Sequence, residues 1–485
     1  MQQNKDGEQK SYRLLGLFSL TLLFLSTSLL AESFSDFKRS QESSFAAYRD
    51  QRDAAFNKYL KEQWKEYTAQ APQSLYEKEK PKSITPTIQK EIKSVGPKIS
   101  IKVVEEPKAD VNITLVEVKP AIKKHDMEFD FFGKSIGFNV EDNVKSARFY
   151  PHSQTGIVSY FNTIASSDYD DLVRDIEGKS KALELNDWGV YLLVSQMSHK
   201  LFENQDDSKL FVWFILNKLG YDVKIGLSSK HIVLMHYSQK VIYATPSYTF
   251  SGKKFYVVSN YSKGSVGRVY TYNQSYPDAT KPLDLGLKKL PNLIQNREKK
   301  TLLFKQYGKE YRVSYGYNKN MIDFMATYPQ ADYETYFNAP MQEATYQDIA
   351  RELKGYINEK QASVAINFVL NFVQKAFKYE RDQQQFGREK VMFAEETLYY
   401  DKSDCEDRAI LFSYLVKELF GVGVIGVKYK DHMATALYIP MKGDSIKAGK
   451  RRFVIADPTY INANIGQSMP KYRSSTPESF IIVRK

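Results

Sequence analysis

The chain's only cysteine, Cys405, lies in Ser403-Asp404-Cys405-Glu406-Asp407, and Asp431-His432 and Ala456-Asp457-Pro458-Thr459 follow it. A thiol, an imidazole and a carboxylate thus arrive in that order within about fifty residues, each beside a turn or at the start of an element, which is the inventory of a thiol acyl-transfer site. In that reading Cys405 attacks a carbonyl, His432 takes and returns protons, and Asp457 fixes the imidazole tautomer. His432 is the only histidine after His236, so it is the one base available in its own domain. An oxyanion hole would use the Cys405 backbone N–H with an upstream donor, and Tyr379 and Gln383–Gln385 remain open as sources. Each residue also has a plainer reading: a cysteine at a helix start packs as a small apolar side chain, and Asp-Pro marks a turn.

The elements that must position these groups follow from the local pattern. Ser403-x-x-Glu406 before an apolar helical run reads as a capping box, with Ser403 as N-cap and Glu406 at the third helical position. Cys405 then sits in the first turn, where free backbone N–H groups and the helix dipole favour a thiolate by about 0.3–1 kcal/mol. Asp404, Glu406 and Asp407 oppose it, so a cationic imidazole is needed to tip the balance. The expected order is helix Gln361–Phe377, an insert of about twenty-five residues, helix Cys405–Phe420, a stop at Gly421, then strands Val424–Tyr429, Thr435–Ile439 and Arg452–Ala456. His432 falls in a turn between strands, and Pro458 ends the ladder beside Asp457.

The segment from about Phe377 to Tyr460 resembles the transglutaminase-like superfamily of papain-type thiol enzymes. Phe377-Lys378-Tyr379, Asp404-Cys405-Glu406-Asp407-Arg408-Ala409, Leu419-Phe420-Gly421, Asp431-His432-Met433-Ala434 and Ala456-Asp457-Pro458-Thr459 carry the likeness. The resemblance implies an α+β fold with a helix-borne Cys405 packed on an antiparallel sheet, His432 and Asp457 on adjacent strands, and acyl-thioester chemistry. The acidic run is also similar to that of exported bacterial transglutaminase-like cysteine proteinases, some of which bind calcium through acids beside the cysteine. That implies Asp404, Glu406 and Asp407 as calcium ligands, although Ala456 departs from the acidic residue often found before the triad aspartate. No other cofactor is implied.

An upstream block repeats the pattern. Leu210-Phe211 and Gly220 match Leu411-Phe412 and Gly421 at one spacing, and in that register His231 falls under His432 and Asn204 under Cys405. Residues 241–248 then lie under 454–460, with Thr245 where Asp457 stands. Asparagine cannot attack an acyl group, so this copy reads as a degenerate, catalytically dead transglutaminase-like domain.

Residues 1–13 are polar and basic, and residues 14–30 form an apolar run ending at Ala31, the pattern of a signal peptide or an uncleaved anchor; Leu29 departs from the small residue expected at the cleavage site. Export to the periplasm or cell envelope follows, and a lone cysteine closes no intramolecular disulfide there. From residue 32 to 70, Phe34, Phe45, Phe56 and Tyr67 recur every eleven residues, with Phe37, Tyr48 and Tyr59 as a second series, which predicts one long helix with an aromatic stripe for packing or self-association. Residues 71–124 carry six prolines among many Lys and Glu and read as a linker, with one strand at Ile113–Val118. The organisation expected is then a degenerate α+β domain at 125–262, with a strand at Lys240–Ala244, a β-containing connector at 263–345 and a catalytic domain at 346–485.

The net charge of +12 is spread with no dense basic block beyond Lys450-Arg451-Arg452, which reads as general affinity for anionic envelope surfaces and not nucleic-acid binding, and membrane contact is expected only through an uncleaved N-terminal segment. The expected activity is hydrolysis of a peptide or amide bond in an envelope protein. Interception of the thioester by an amine would make it a crosslinking enzyme. A non-catalytic envelope scaffold is the alternative from another class.

Overall fold

The computed structural model describes residues 34–104, 125–258 and 267–484. The apolar run at residues 14–30, expected as a signal peptide or anchor, and the strand expected at Ile113–Val118 lie outside them. No helix among the described residues is long and apolar enough to cross a membrane. The chain divides into two units, residues up to Asp53 and residues from Ala54 onward.

The aromatic stripe does not run as one helix to residue 70. Helix Phe34–Glu62 stops, and Trp64–Thr68 forms a strand that pairs antiparallel with Arg268–Tyr272, setting Trp64 opposite Tyr272. Cross-strand pairing of aromatic side chains overrides the helical pattern here. Within the first unit Phe37, Phe45 and Tyr48 are exposed. Within the second, Phe56 is buried against Phe161, Tyr272 and Tyr276, with ring centroids at 5.5, 5.8 and 5.2 Å. The series therefore spans three environments and is not a continuous seam.

The second unit is mixed α+β and holds two antiparallel sheets. One runs in space as Arg268–Tyr272, Val223–Ser228, His231–Tyr237, Lys253–Tyr256, Ser247–Phe250, with Trp64–Thr68 added at its edge. The other runs as Ser479–Ile482, Val424–Lys428, Met433–Leu437, Arg451–Ala456, Ser445–Ala448. Apart from the added edge strand, the two share one strand order and one set of directions. Each sheet is also preceded by a helix, Gln205–Lys218 or Cys405–Phe420, packed on its first two strands.

His231 opens its strand and His432 immediately precedes the corresponding one. The match of Thr245 to Asp457 fails, however. Residues 240–246 form no strand, because Ala244 takes a positive φ of 53° and Pro246 cannot donate to a ladder. The strand that pairs with His231–Tyr237 is Lys253–Tyr256, through His236 opposite Tyr256. Counted along it, the position matching Asp457 follows Val258 and lies outside the described residues.

The stretch read as a linker is, over residues 71–104, a strap laid across the C-terminal half. Its prolines keep it out of helix and sheet, and its backbone finds partners on the domain instead. The Lys78 N–H donates to the Lys430 carbonyl (3.1 Å), the Thr87 N–H to Ile461 (3.0 Å), and the Ala362 N–H to the Pro97 carbonyl (2.8 Å). Leu75, Tyr76, Lys80 and Ile101 are buried along it. The connector contains the hairpin Arg297–Gln306/Lys309–Asn318 and helix Lys319–Ala326.

Helix Cys405–Phe420 ends as its sequence requires, with Gly421 left-handed at φ 63° and its N–H donating to the Lys417 carbonyl. Nothing lies within 4 Å of the position a Cβ would take, so Gly421→Ala tests conformation alone. Chemical denaturation should show a loss of about 1 kcal/mol.

Candidate active site

The cysteine helix begins one residue later than the capping-box pattern implies. Asp404 is the N-cap, Cys405 the first helical residue and Asp407 the third. Ser403 is drawn away by a two-residue parallel pairing, Tyr379 opposite Ser403, which closes the base of the insert, and its hydroxyl accepts from the Arg408 guanidinium (3.0 Å). Arg408, fully buried, also donates to the Phe377 and Gln374 carbonyls (2.8 and 3.3 Å), tying the helix start to the end of helix Ala362–Lys375. Asp407 takes over the capping role: one oxygen accepts the Asp404 N–H (3.2 Å), the other the Met392 N–H (2.9 Å). Glu406 is thereby free to face the thiol.

His432 and Asp457 meet across neighbouring strands. Thr435 pairs with Ala456, which brings the residue before one strand beside the residue after the other. The His432 Nε2 lies 2.8 Å from Asp457 Oδ2, while Asp457 Oδ1 accepts the Thr459 and Tyr460 N–H groups (2.9 and 3.2 Å), an Asx turn that locks the carboxylate. The Tyr472 ring stacks on the imidazole (4.7 Å between centroids, 19°), and its hydroxyl donates to Asp431 (3.1 Å). The other ring nitrogen, Nδ1, is buried with no hydrogen-bond partner among the described residues. The Tyr472 hydroxyl is driven up first by burial, then by Asp431, Cys405 and Asp457.

The thiol itself is fully buried and does not bond to His432. Its Sγ donates to Glu406 Oε2 (3.1 Å), and the Tyr76 hydroxyl of the strap stands 3.7 Å away while donating to the same carboxylate (3.0 Å). Burial first, then Glu406 and Asp404, push the Cys405 thiol well above its ordinary range. In this state it is a resting thiol.

Beside it lies a cage of acids around one ammonium. The buried Lys80 Nζ is 2.5 Å from Asp404, 2.8 Å from Glu406, 2.8 Å from Glu389 and 3.1 Å from Asp382. Burial works against the ammonium, but Asp404, Glu406 and Asp382 hold its pKa well above the usual lysine value. Burial would also raise Glu406, yet Lys80 pulls it down to about 2. Asp404 and Asp382 go the other way, driven up chiefly by burial and by neighbouring carboxylates, and Asp407 is raised to about 7 by burial and Glu406. Lys80 and Glu406 thus form the ion pair, and the surrounding acids shed charge.

A carboxyl held at about 7 in the folded chain and at its ordinary 3.8 when unfolded binds its proton more tightly folded. Its contribution to stability therefore falls as pH rises from the ordinary carboxylate range through about 7, and is flat above. Asp407→Asn should flatten the decline of the unfolding midpoint across that window, as thermal melts at several pH values would show.

The oxygen donors are of the hard type that suits calcium. The expected ligand set nonetheless splits: Asp404 groups with Glu406 and Cys405, or with Asp407 and Asp382, while Asp407 is committed to two backbone N–H groups. Lys80 also stands among these acids, so an ammonium supplies positive charge there.

Of the open oxyanion donors, the Tyr379 hydroxyl donates to the Pro81 carbonyl of the strap (2.8 Å) and Gln383 to the Gly387 carbonyl (3.3 Å). Tyr76, Lys80, Tyr472, Asp382 and Glu389 were not singled out by the sequence. Lys80 sits in a Lys/Glu run with nothing to mark it, and only tertiary contact reveals it. Comparison with family profiles, curated proteins and solved structures finds no match to this chain.

Proposed function

We propose that the chain is an exported thiol acyl-transfer enzyme of transglutaminase-like type that hydrolyses a peptide or amide bond in a cell-envelope protein. The observation that carries this reading is the buried His432–Asp457 pair, which leaves the second imidazole nitrogen unbonded at the end of the strand on which the cysteine helix packs. A proton passes from Cys405 Sγ to His432 Nδ1 as the sulfur bonds to the substrate carbonyl carbon. His432 returns the proton to the leaving nitrogen as the C–N bond breaks, giving a thioester. Water, deprotonated by the same nitrogen, then attacks the thioester, and the thiol leaves with the proton. Asp457 holds the ring and stabilises the imidazolium throughout. An amine in place of water gives a crosslink by the same steps.

Envelope proteins from wild-type and Cys405→Ala cells distinguish these outcomes. A shortened species dependent on Cys405 supports hydrolysis, and a heavier conjugate supports crosslinking. Identical profiles with an intact phenotype in Cys405→Ala cells would instead favour the scaffold, to which the exposed Phe37, Phe45 and Tyr48 lend an obvious contact surface.

A further inference from the structure

A buried thiol cannot reach a protein substrate, and the group that closes it belongs to the strap. We infer that residues 74–82 are a built-in occupant of the substrate cleft, in which Tyr76 closes the thiol and Lys80 fills an acidic pocket that otherwise receives a cationic side chain of the protein substrate. This deepens the thiol-enzyme reading and rests on it.

Three contacts carry the inference. Tyr76 stands over Cys405 and bonds Glu406, the acid that also holds the thiol proton. Lys80 enters the cage, whose buried Asp404 Oδ1 and Asp382 Oδ1 have no hydrogen-bond partner among the described residues, so one ammonium leaves polar atoms of the pocket unsatisfied. The Pro81 carbonyl receives the Tyr379 hydroxyl, whose own acidity is weakened by burial and by Cys405, so a peptide carbonyl sits on a donor within the field of the thiol.

The intervening Glu77, Lys78 and Glu79 are exposed, as the outward residues of a bound peptide are. A cleft of about 580 Å³, lined by Ser74, Leu75 and Glu77 of the strap and by Tyr333, Lys428 and Phe480, lies alongside it. The ligand class that matches is an extended peptide with an aromatic residue at the thiol and a lysine four positions later. The enzyme stays silent until the strap lifts.

Labelling of Cys405 by iodoacetamide in the full chain, followed by intact mass, tests this without any turnover. Wild type should label slowly and Tyr76→Ala about tenfold faster or more, with hydrogen exchange of the Cys405–Phe420 helix amides unchanged, while Lys80→Gln should label faster by more than its helix exchange accelerates. Tyr76→Ala keeps the Lys80 ion pairs, so it carries the test if Lys80→Gln fails to fold.

A synthetic peptide of residues 74–82, added to Lys80→Gln protein, whose pocket lacks the ammonium, should slow labelling again, and the same peptide with norleucine for Lys80 should not. Labelling no faster than wild type, or acceleration matched by equally faster helix exchange, overturns the cover. Equal protection by the norleucine peptide overturns the cationic pocket. Fast labelling in Tyr76→Ala that His432→Ala leaves unchanged would instead sink the acyl-transfer reading while the cover stands.

Discussion

Replacing His432 with alanine is expected to slow acylation of Cys405 by p-nitrophenyl acetate by about 10²–10⁴-fold, measured in a Tyr76→Ala background so that the cover does not mask the effect. The size follows from what surrounds the sulfur. Burial, Glu406 and Asp404 all disfavour a thiolate, and the helix N-terminus offers at most about 1 kcal/mol against them. Only a base that becomes cationic on taking the proton offsets that, and His432, whose buried Nδ1 has no partner among the described residues, is the base proposed for it. Alanine also removes a fully buried ring stacked on Tyr472, so thermal melts must accompany the kinetics. A rate unchanged in a folded variant would leave Cys405 a packing residue.

The second large effect is on stability. Lys80→Met should lower the unfolding free energy by about 3–5 kcal/mol at pH 8, because it leaves the buried Glu406 charged and unpaired. At pH 5 the loss should shrink. Asp404, Asp382 and Asp407 already hold their protons above the ordinary carboxylate range, and without Lys80 their pKa values rise further. The penalty for ionising them therefore grows as pH climbs through that range and fades below it. Urea denaturation at the two pH values checks this; an equal loss at both would mean that packing of the Lys80 stem, not its charge, is what the cage needs.

The sequence carried the local signals well and the tertiary ones poorly. Gly421, the apolar run after Cys405 and the Asp457-Pro458 stop are local, and the helix, its end and the strand before Asp457 stand where those residues put them. The upstream register of Leu210-Phe211 and His231 coincides with sheets of one strand order, a likeness two short motifs were enough to suggest.

The errors arose where distant partners decide. Ser403 reads as an N-cap until Tyr379 and Arg408 claim it, and Trp64–Thr68 reads as helix until Arg268–Tyr272 pairs with it. Residues 71–104 have a linker's composition, yet their hydrogen bonds reach residues three hundred or more positions away, such as the Lys90 carbonyl to Asn464. No local pattern encodes such a partner.

The pH dependence of Cys405 alkylation, measured in Tyr76→Ala protein with and without His432, tests the central pairing most directly. The account requires alkylation near neutral pH that depends on proton transfer from Cys405 to His432, and its loss in the His432→Ala variant. A single titration at or above the ordinary thiol range, the same in both proteins, would contradict it.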